Sequence, residues 1–505
     1  MERRCITRQD IGHQRTLTVG AVYNSKAEID VINPQLPQSP FIAALEACIS
    51  EHPILSTTIH GGDTEAPEFT TPGMLVLTNH FELRERDSTL SERQYLEHLL
   101  VQVGDEQFSN VHLTPPWKVV VVPLDPSNDE HNNRVFVLLA YYHSHGDGKS
   151  ALAFHQTFLK GLNQALRPES NERDNRLVCE PPTMALLPAI ETAGKLSISW
   201  SFLISPLLQI YLPETITKIL GFSNSNPPDT RVWRGRNYTF DAGNFRTGLK
   251  MLTVEPDRLS HILAHCRARR TTFSGLIVQL VVRAITEAID YTGLASESAS
   301  ANALACQIVV DMRRLFQGTF TDDSMTNCVT AYTETSPFAR NEQWQSWTRS
   351  SDGIWEAARN TSAALVKSAG TLHDQPTGLL QYLKEFRPWT QGQIGKKREC
   401  SMELSNLTVF DPDPNHQFRQ LDETSFGIEK VIFAQPANAA GALLNFNIVS
   451  TKNGPLVMTV TWQLGVLGLE HERKEPKFVR GICWNIERYL NELAAADVGL
   501  VDQSS

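Results

Sequence analysis

The sequence predicts a mixed α/β (α+β) protein built as two lobes, and three observations predict it. Short runs rich in β-branched, aromatic and aliphatic residues alternate with amphipathic stretches along the whole chain, the pattern of strands and helices packed in layers. At 505 residues the chain is longer than one core of ordinary size encloses. A composition of 41% hydrophobic and 20% charged residues is that of a folded globular protein and excludes a disordered or fibrous class. The formal net charge of −10 argues against a broad phosphate-binding surface, so nucleic acid is not expected as a partner.

The first lobe is expected over 1–195. A polar opening, ERRCITRQDIGHQ, leads into the strand LTVGAVY. A helix over 40–52 has its apolar face at Phe41, Leu45 and Cys48 or Ile49. It stops at Pro53, because the residue before a proline is driven out of helical space. The strand LSTTIH follows, then strand and turn over 67–87, an amphipathic helix over 91–107, and the strand PPWKVVVVPL (115–124). The polar turn DPSNDEHNN (125–133) delivers the chain to RVFVLLAYY (134–142), which has the composition of a buried strand. HSHGDG ends that strand, and KSALAFHQTFLKGL opens a helix with Ala151, Phe154, Phe158 and Leu162 at helical spacing.

The polar and proline-rich character that begins near residue 164 marks a connection, assigned to 196–237. Within it, LSISWSFLISPLLQIYLP (196–213) has 18 residues without a charge, but it is studded with serine and broken by Pro206. A membrane span needs about 20 mainly apolar residues, so a packed or interfacial segment is expected, with weak membrane association through 196–222. The second lobe, 238–505, opens with the strand FRTGLKMLTVE (245–255) and a helix starting at Pro256, a favoured first-turn residue. A long apolar helix (271–289), the strands at 303–316 and 326–335, and an amphipathic helix over 341–368 with Trp344, Trp347 and Trp355 follow. Strands over 400–410, 426–435, 442–450 and 456–466 and a helix over 477–493 complete the lobe.

The functional signal sits where the 134–142 strand stops. His143-Ser144-His145-Gly146-Asp147-Gly148 reads HxxxDG. An imidazole at a strand end can face a cleft and take a proton near neutral pH, since its free pKa is about 6.5. An aspartate at a helix start suits the positive end of the helix dipole and can hold the loop rigid. A carboxylate drawn into a cleft wall also needs a cation, and VVDMRRLF offers Arg313 and Arg314 at the end of a core strand. Competing readings are weaker. His145 could pair with His143 on a metal, but no third ligand is evident. His261 and His265 read better as part of a basic helix face. Gly148-Lys149-Ser150 lacks the glycine a phosphate-binding loop places five residues earlier, where His143 stands. No metal is expected.

HxxxDG at the end of such a strand resembles the signature of the thioester-dependent acyltransferase superfamily. That group includes chloramphenicol acetyltransferase, peptide-synthetase condensation domains, plant HxxxD acyltransferases and fungal alcohol acetyltransferases. The helix–HPxL–strand order around His52 and the strand–loop–strand–His order resemble the same group, although His52 itself reads as a helix-end residue. The likeness to the fungal alcohol acetyltransferases runs from about residue 3 to 490. It implies two chloramphenicol-acetyltransferase-like lobes with an active-site tunnel between them. It implies His143 as general base, with Asp147 shaping the loop, Gly148 supporting the motif, and Arg313 matching the arginine that pairs with the aspartate. Ser405 and Asn406, in ELSNL at a strand end, resemble the family's tunnel-facing Ser-Asn region and are candidates for stabilising an oxyanion. Phe426-Gly427 retains only the centre of the plant DFGWG motif, so a structural role alone is implied.

The resulting expectation is an O-acyltransferase, foremost an O-acetyltransferase, using acyl-CoA (acetyl-CoA) as co-substrate with no permanently bound cofactor. The acceptor is a small hydroxylated molecule, expected to be a secondary metabolite, and GxSxG, the mark of a covalent serine route, is absent. The alternatives are transfer from a carrier-protein thioester to an alcohol or amine, with that carrier as partner, and a non-catalytic binding protein on the same fold. A monomer is expected. Eight cysteines without a CxxC pair and an apolar-poor MERRCITRQDIGHQ point to reduced thiols and a cytoplasmic setting, peripheral to a membrane at most.

Overall fold

The computed structural model of the chain describes residues 1–25, 40–125, 133–167, 177–204, 231–294, 300–316, 318–338, 352–414, 425–437 and 439–496. In chain order the strands are β1 (Leu17–Ser25), β2 (Thr58–His60), β3 (Glu68–Thr70), β4 (Leu75–Val76), β5 (Phe81–Leu83), β6 (Trp117–Leu124), β7 (Asn133–Tyr141) and β8 (Val178–Cys179). Then come β9 (Thr247–Val254), β10 (Ala303–Asp311), β11 (Val329–Pro337), β12 (Met402–Phe410), β13 (Gly427–Ala434), β14 (Leu444–Thr451) and β15 (Leu456–Gln463). One sheet has the order β13-β1-β7-β6-β5 and the other β11-β10-β12-β14-β15-β9, with β2–β3 and β4–β8 as small ribbons.

The strand that ends at the motif, β7, is central in the first sheet and covered on both faces. Val137, Leu139 and Tyr141 point into one core with the helices Pro40–Glu51 and Gly148–Ala165. Phe136, Leu138 and Ala140 point into another with the helix Glu92–Asp105. Burial on both sides explains its continuous apolar run. The two helices on the motif side approach closely, because a Cβ at Gly161 would lie 2.9 Å from the Ala47 Cβ.

The second sheet has two unlike faces. Leu444, Phe446, Ile448, Met458 and Val460 pack under the helices Phe273–Thr292 and Glu475–Ala495. The alternate residues Asn445, Asn447, Thr459 and Thr461 are buried as well, so the other face carries a buried polar patch beside Leu249, Met251, Val449 and Val457, which pack into the first lobe's cores. There β13 crosses. It comes from the segment expected in the C-terminal lobe, yet it pairs antiparallel with β1 at the edge of the first sheet. The Thr459 Oγ1 donates to the Phe433 carbonyl at 2.6 Å and the Thr461 Oγ1 to that of Gln435 at 2.7 Å.

Several elements differ from expectation. The polar opening is a helix, Glu2–Asp10, which buries Thr7, Arg8 and Gln9 and so lacks the apolar stripe that betrays a helix. The strand expected over 55–60 begins only at Thr58, after a 3₁₀ turn, Pro53–Ser56. Residues 200–204 are helical with Trp200 77% exposed, and the remainder of the apolar segment, from 205, lies outside the described residues. Most of the 125–133 turn lies outside them too, as do Trp344 and Trp347, while Trp355 is buried in the helix Asp352–Ser368. Among the described residues no single helix is long and apolar enough to cross a membrane.

The side-chain bonds that hold β13 across both sheets are expected to matter for stability. Thr459→Val with Thr461→Val removes two donors, at about 1 kcal/mol each. Urea unfolding of the double variant should show a loss of about 2 kcal/mol, and an unchanged midpoint would show that β13 needs no such tether.

Candidate active site

The motif loop is a single 3₁₀ turn, His143–His145, followed by the N-cap of the helix Gly148–Ala165. Asp147 is that N-cap, accepting the Ser150 backbone N–H at 3.0 Å, while the Ser150 hydroxyl accepts the Asp147 N–H at 3.1 Å. The same carboxylate meets Arg313 side-on: Nη2 donates to Oδ1 and Nη1 to Oδ2, both at 2.8 Å. The Cys328 N–H adds a bond to Oδ2 at 3.0 Å. Both side chains are buried, so desolvation works against each charge, but the Arg313 guanidinium and the N–H donors outweigh it and hold the Asp147 carboxyl below its ordinary pKa. The opposing carboxylate likewise raises the pKa of Arg313. Arg314, the other arginine offered by the sequence, is exposed.

This pair joins the lobes, since Arg313 follows β10 of the second sheet. The segment after it is laced to the motif as well. The Ser150 hydroxyl lies 2.9 Å from the Thr326 carbonyl, and Lys149 bridges Asp311 and Asp322 at 3.0 Å each. A Cβ on Gly148 would lie 2.5 Å from a methyl of Leu407 on β12, so glycine lets the second lobe close on the loop.

His143 is held by its backbone and left loose at its ring. Its carbonyl accepts from the Asn327 Nδ2 at 2.7 Å. With the Gln9 amide oriented to satisfy both its partners, the Gln9 oxygen accepts the His143 N–H at 2.6 Å. Its Nδ1 is sealed without a well-formed hydrogen bond, yet the residue keeps part of its surface accessible. Burial lowers the imidazole pKa, helped by the Arg8 charge and opposed by its own backbone, the Asp147 charge and the Asn327 amide. The ring is therefore neutral at neutral pH. Asp147 affects it only through space: each hydrogen bond to that carboxylate comes from Arg313, Ser150 or Cys328.

His145 is different. Its Nε2 lies 3.0 Å from the Thr57 carbonyl and its Nδ1 3.1 Å from the Ser144 hydroxyl, and burial lowers its pKa to about 4. It is a neutral residue tying the loop to the first lobe. His52 likewise bonds Thr157 at 2.9 Å within the packed helices. His265 is buried against the Ala496 carbonyl while His261 is exposed, and among the described residues no group of side chains is arranged to hold a metal.

Ser405 and Asn406 lie within β12, not at its end, beside an irregularity in pairing with β14 between Asn406 and Val409. Met402 and Leu404 point into the second core, so Ser405 takes the opposite face, two residues from the Leu407 that touches Gly148. Asn406 is engaged, donating to the Ser274 hydroxyl at 3.1 Å and accepting from the Thr408 N–H at 2.8 Å. The Ser405 hydroxyl has no hydrogen-bond partner among the described residues. Phe426 packs against Phe41 and Tyr23 with both its backbone groups held by Asn163, a purely structural setting. Beside the loop opens a cleft of about 730 Å³ that reaches Ser144, His145 and Asn327. Asn327 and the helix Glu2–Asp10 escaped the sequence reading, because neither shows a motif or a periodicity.

A profile of the alcohol acetyltransferase family matches residues 86–479, well over half the chain. The chain belongs to the alcohol acetyltransferase family. It is 22% identical over 443 residues to a probable alcohol acetyltransferase, FCK4, of Fusarium pseudograminearum, covering 87% of this chain and 83% of that one. Its fold is similar to that of TRI3 trichothecene 15-O-acetyltransferase from Fusarium sporotrichioides, with a TM-score of 0.64 at 12% identity over 98% and 94% of the two chains. It also resembles the first condensation domain of the calcium-dependent antibiotic synthetase, with a TM-score of 0.58 at 11% identity over 100% and 97%. The two-lobed chloramphenicol-acetyltransferase-like architecture is thus shown, and this alcohol acetyltransferase family member is an acyltransferase enzyme.

In this family member the Asp147–Arg313 pair should dominate stability at the lobe junction. Arg313→Met leaves a buried carboxylate without its cation and should cost about 3–5 kcal/mol in urea unfolding. Arg313→Met combined with Asp147→Leu should recover part of that loss. A single-variant loss under about 1 kcal/mol would show that the pair does not hold the lobes.

Proposed function

We propose that the chain transfers an acetyl group from acetyl-CoA to a hydroxyl of a small molecule in a direct ternary complex, with His143 as general base. One observation carries the reading: a neutral, half-buried imidazole at the lobe junction whose loop carboxylate is wholly committed to Arg313, Ser150 and Cys328. A sealed Nδ1 leaves Nε2 as the nitrogen that meets substrate.

The chemistry follows from acidity. An alcohol is too weak an acid to ionise beforehand, so proton transfer and attack are coupled. As the acceptor oxygen bonds to the thioester carbonyl carbon, its proton passes to Nε2 of His143. The carbonyl oxygen becomes an oxyanion, and the Ser405 hydroxyl, free of protein partners, donates to it. Asn406, tied to Ser274 and Thr408, shapes the strand instead. The oxyanion collapses, the carbon–sulfur bond breaks, and the leaving thiolate takes the proton back from His143. The products are the acetate ester and free CoA thiol, and the base is regenerated.

Thiol release from acetyl-CoA, followed with a panel of alcohols, tests this. Wild type should show acceptor-dependent release that collapses in His143→Ala, and Ser405→Ala should lower turnover by about 10²-fold or more. A lowered His143 pKa keeps the base unprotonated at neutral pH. Activity should therefore persist as pH falls to the ordinary histidine value of about 6.5 and decline only below it. Release indifferent to His143→Ala, or a decline beginning above that value, would refute the mechanism.

A further inference from the structure

The peptide unit that leads into His143 has no hydrogen-bond partner within the motif loop. β7 ends at Tyr141, and His143 opens the 3₁₀ turn, so its N–H comes before the turn's own bonds. Those run from the His145 N–H to the Tyr142 carbonyl at 2.8 Å and from the Gly146 N–H to the His143 carbonyl at 3.4 Å. The acceptor for the His143 N–H comes instead from the opening helix of the chain. It is the side-chain oxygen of Gln9, at 2.6 Å, while the nitrogen of the same amide donates to the Cys5 carbonyl at 3.2 Å. Gln9 is 1% exposed, so no water competes for either end.

A second amide works on the other side of the same Cα, where the Asn327 Nδ2 donates to the His143 carbonyl at 2.7 Å. The two bonds grip the two peptide planes that flank the His143 Cα. Each plane is rigid, so fixing both fixes φ and ψ, and with them the direction in which the Cβ carries the ring. The His143 Nδ1 makes no well-formed hydrogen bond, so the aim of the imidazole depends on its backbone.

The helix Glu2–Asp10 is anchored well enough to hold that aim. Asp10 meets Arg387 at 2.5 Å, and the Arg3 guanidinium lies 4.9 Å over the Phe386 ring. The Met1 amine reaches Glu191 at 2.6 Å, and the Arg8 Nη2 donates to the Ala440 carbonyl at 3.4 Å. Burying polar side chains such as Gln9 is unfavourable unless hydrogen bonds compensate, and here one of those bonds is to the reacting loop.

We propose that Gln9 is a positioning residue for the transfer, and that the helix Glu2–Asp10 belongs to the catalytic apparatus as the support of the His143 peptide. Gln9 acts through the backbone of His143, keeping Nε2 aimed at the acceptor hydroxyl, and moves no proton itself. The assignment rests on the O-acetyltransferase reading above, but the clamp can be read without turnover.

Two variants of the full chain test it. Gln9→Leu removes both polar ends of the amide, and Gln9→Glu keeps an oxygen for the His143 N–H. In hydrogen–deuterium exchange, Gln9→Leu should speed exchange of the peptide spanning 143–147 by about 10-fold or more and leave β12 and β14 as in wild type. In acetyl transfer, counted per folded molecule, its kcat should fall by about 10-fold or more, with KM for acetyl-CoA and for the alcohol within about 2-fold, because misplacement of a reacting group lowers turnover rather than binding. Gln9→Glu should regain most of that kcat when assayed well above the acid limb. Motif exchange unchanged in Gln9→Leu, exchange raised alike across the whole chain, a kcat kept at the wild-type value, or a Gln9→Glu variant no better than Gln9→Leu would overturn the proposal. A wild type that releases no thiol while Gln9→Leu loosens the motif would sink the transferase reading and leave the clamp standing, so the two failures are distinct.

Discussion

A buried ion pair between residues 166 positions apart sets the shape of this molecule's working centre. Asp147 closes a helix N-terminus in one lobe, and Arg313 opens the turn that follows a strand of the other. Removing either charge from water is costly, and attraction compensates only with good geometry and full hydrogen bonding. Here the geometry is bidentate and the carboxylate also takes N–H groups of Ser150 and Cys328. The N-cap and the lobe junction therefore depend on the same two oxygens. The loop cannot relax without exposing a charge, so the histidine four residues earlier is held through its backbone while its ring stays free.

The layer around that pair differs from the cores on either side. Each lobe has an apolar interior, and Val449, Val457, Leu249 and Met251 of the second sheet extend those of the first lobe, but between them the surface that faces the first lobe carries the buried polar residues Asn445, Asn447, Thr459 and Thr461. β13 crosses this layer, bonded to β1 along its backbone and to β15 through threonine hydroxyls. A polar, hydrogen-bonded junction offers directional donors to a reacting centre, where a continuous apolar core would offer none.

Much of this was legible in the sequence, for physical reasons that differ by element. β7 is apolar on both faces, the glycines of HSHGDG can only follow a strand as a turn, and the carboxylate at a helix start demanded a cation. Two arginines answered that demand, and only burial separates Arg313 from Arg314. The rest was hidden. The helix Glu2–Asp10 buries polar residues, so no apolar period announces it. The partner of β13 depends on a crossing that alternation along one strand does not encode. Asn327 matters through what its amide touches, and a single asparagine before a strand has no pattern. Ser405 and Asn406 are adjacent and alike on paper, and they separate only because one hydroxyl is free and one amide is engaged.

The central claim is that Asp147 braces and His143 reacts. Comparing Asp147→Asn with wild type for both stability and acetyl transfer tests it most directly. The account predicts a stability loss of several kcal/mol from a buried Arg313 left with Asp311 as its only carboxylate, of the order seen when a buried pair is broken. It predicts that transfer by the folded fraction keeps its acid limb, shifted slightly downward at most because a charge that raises the His143 pKa is gone. A variant with wild-type stability whose transfer falls by about 10⁴-fold, the loss found when an aspartate works directly with a catalytic histidine, would contradict it.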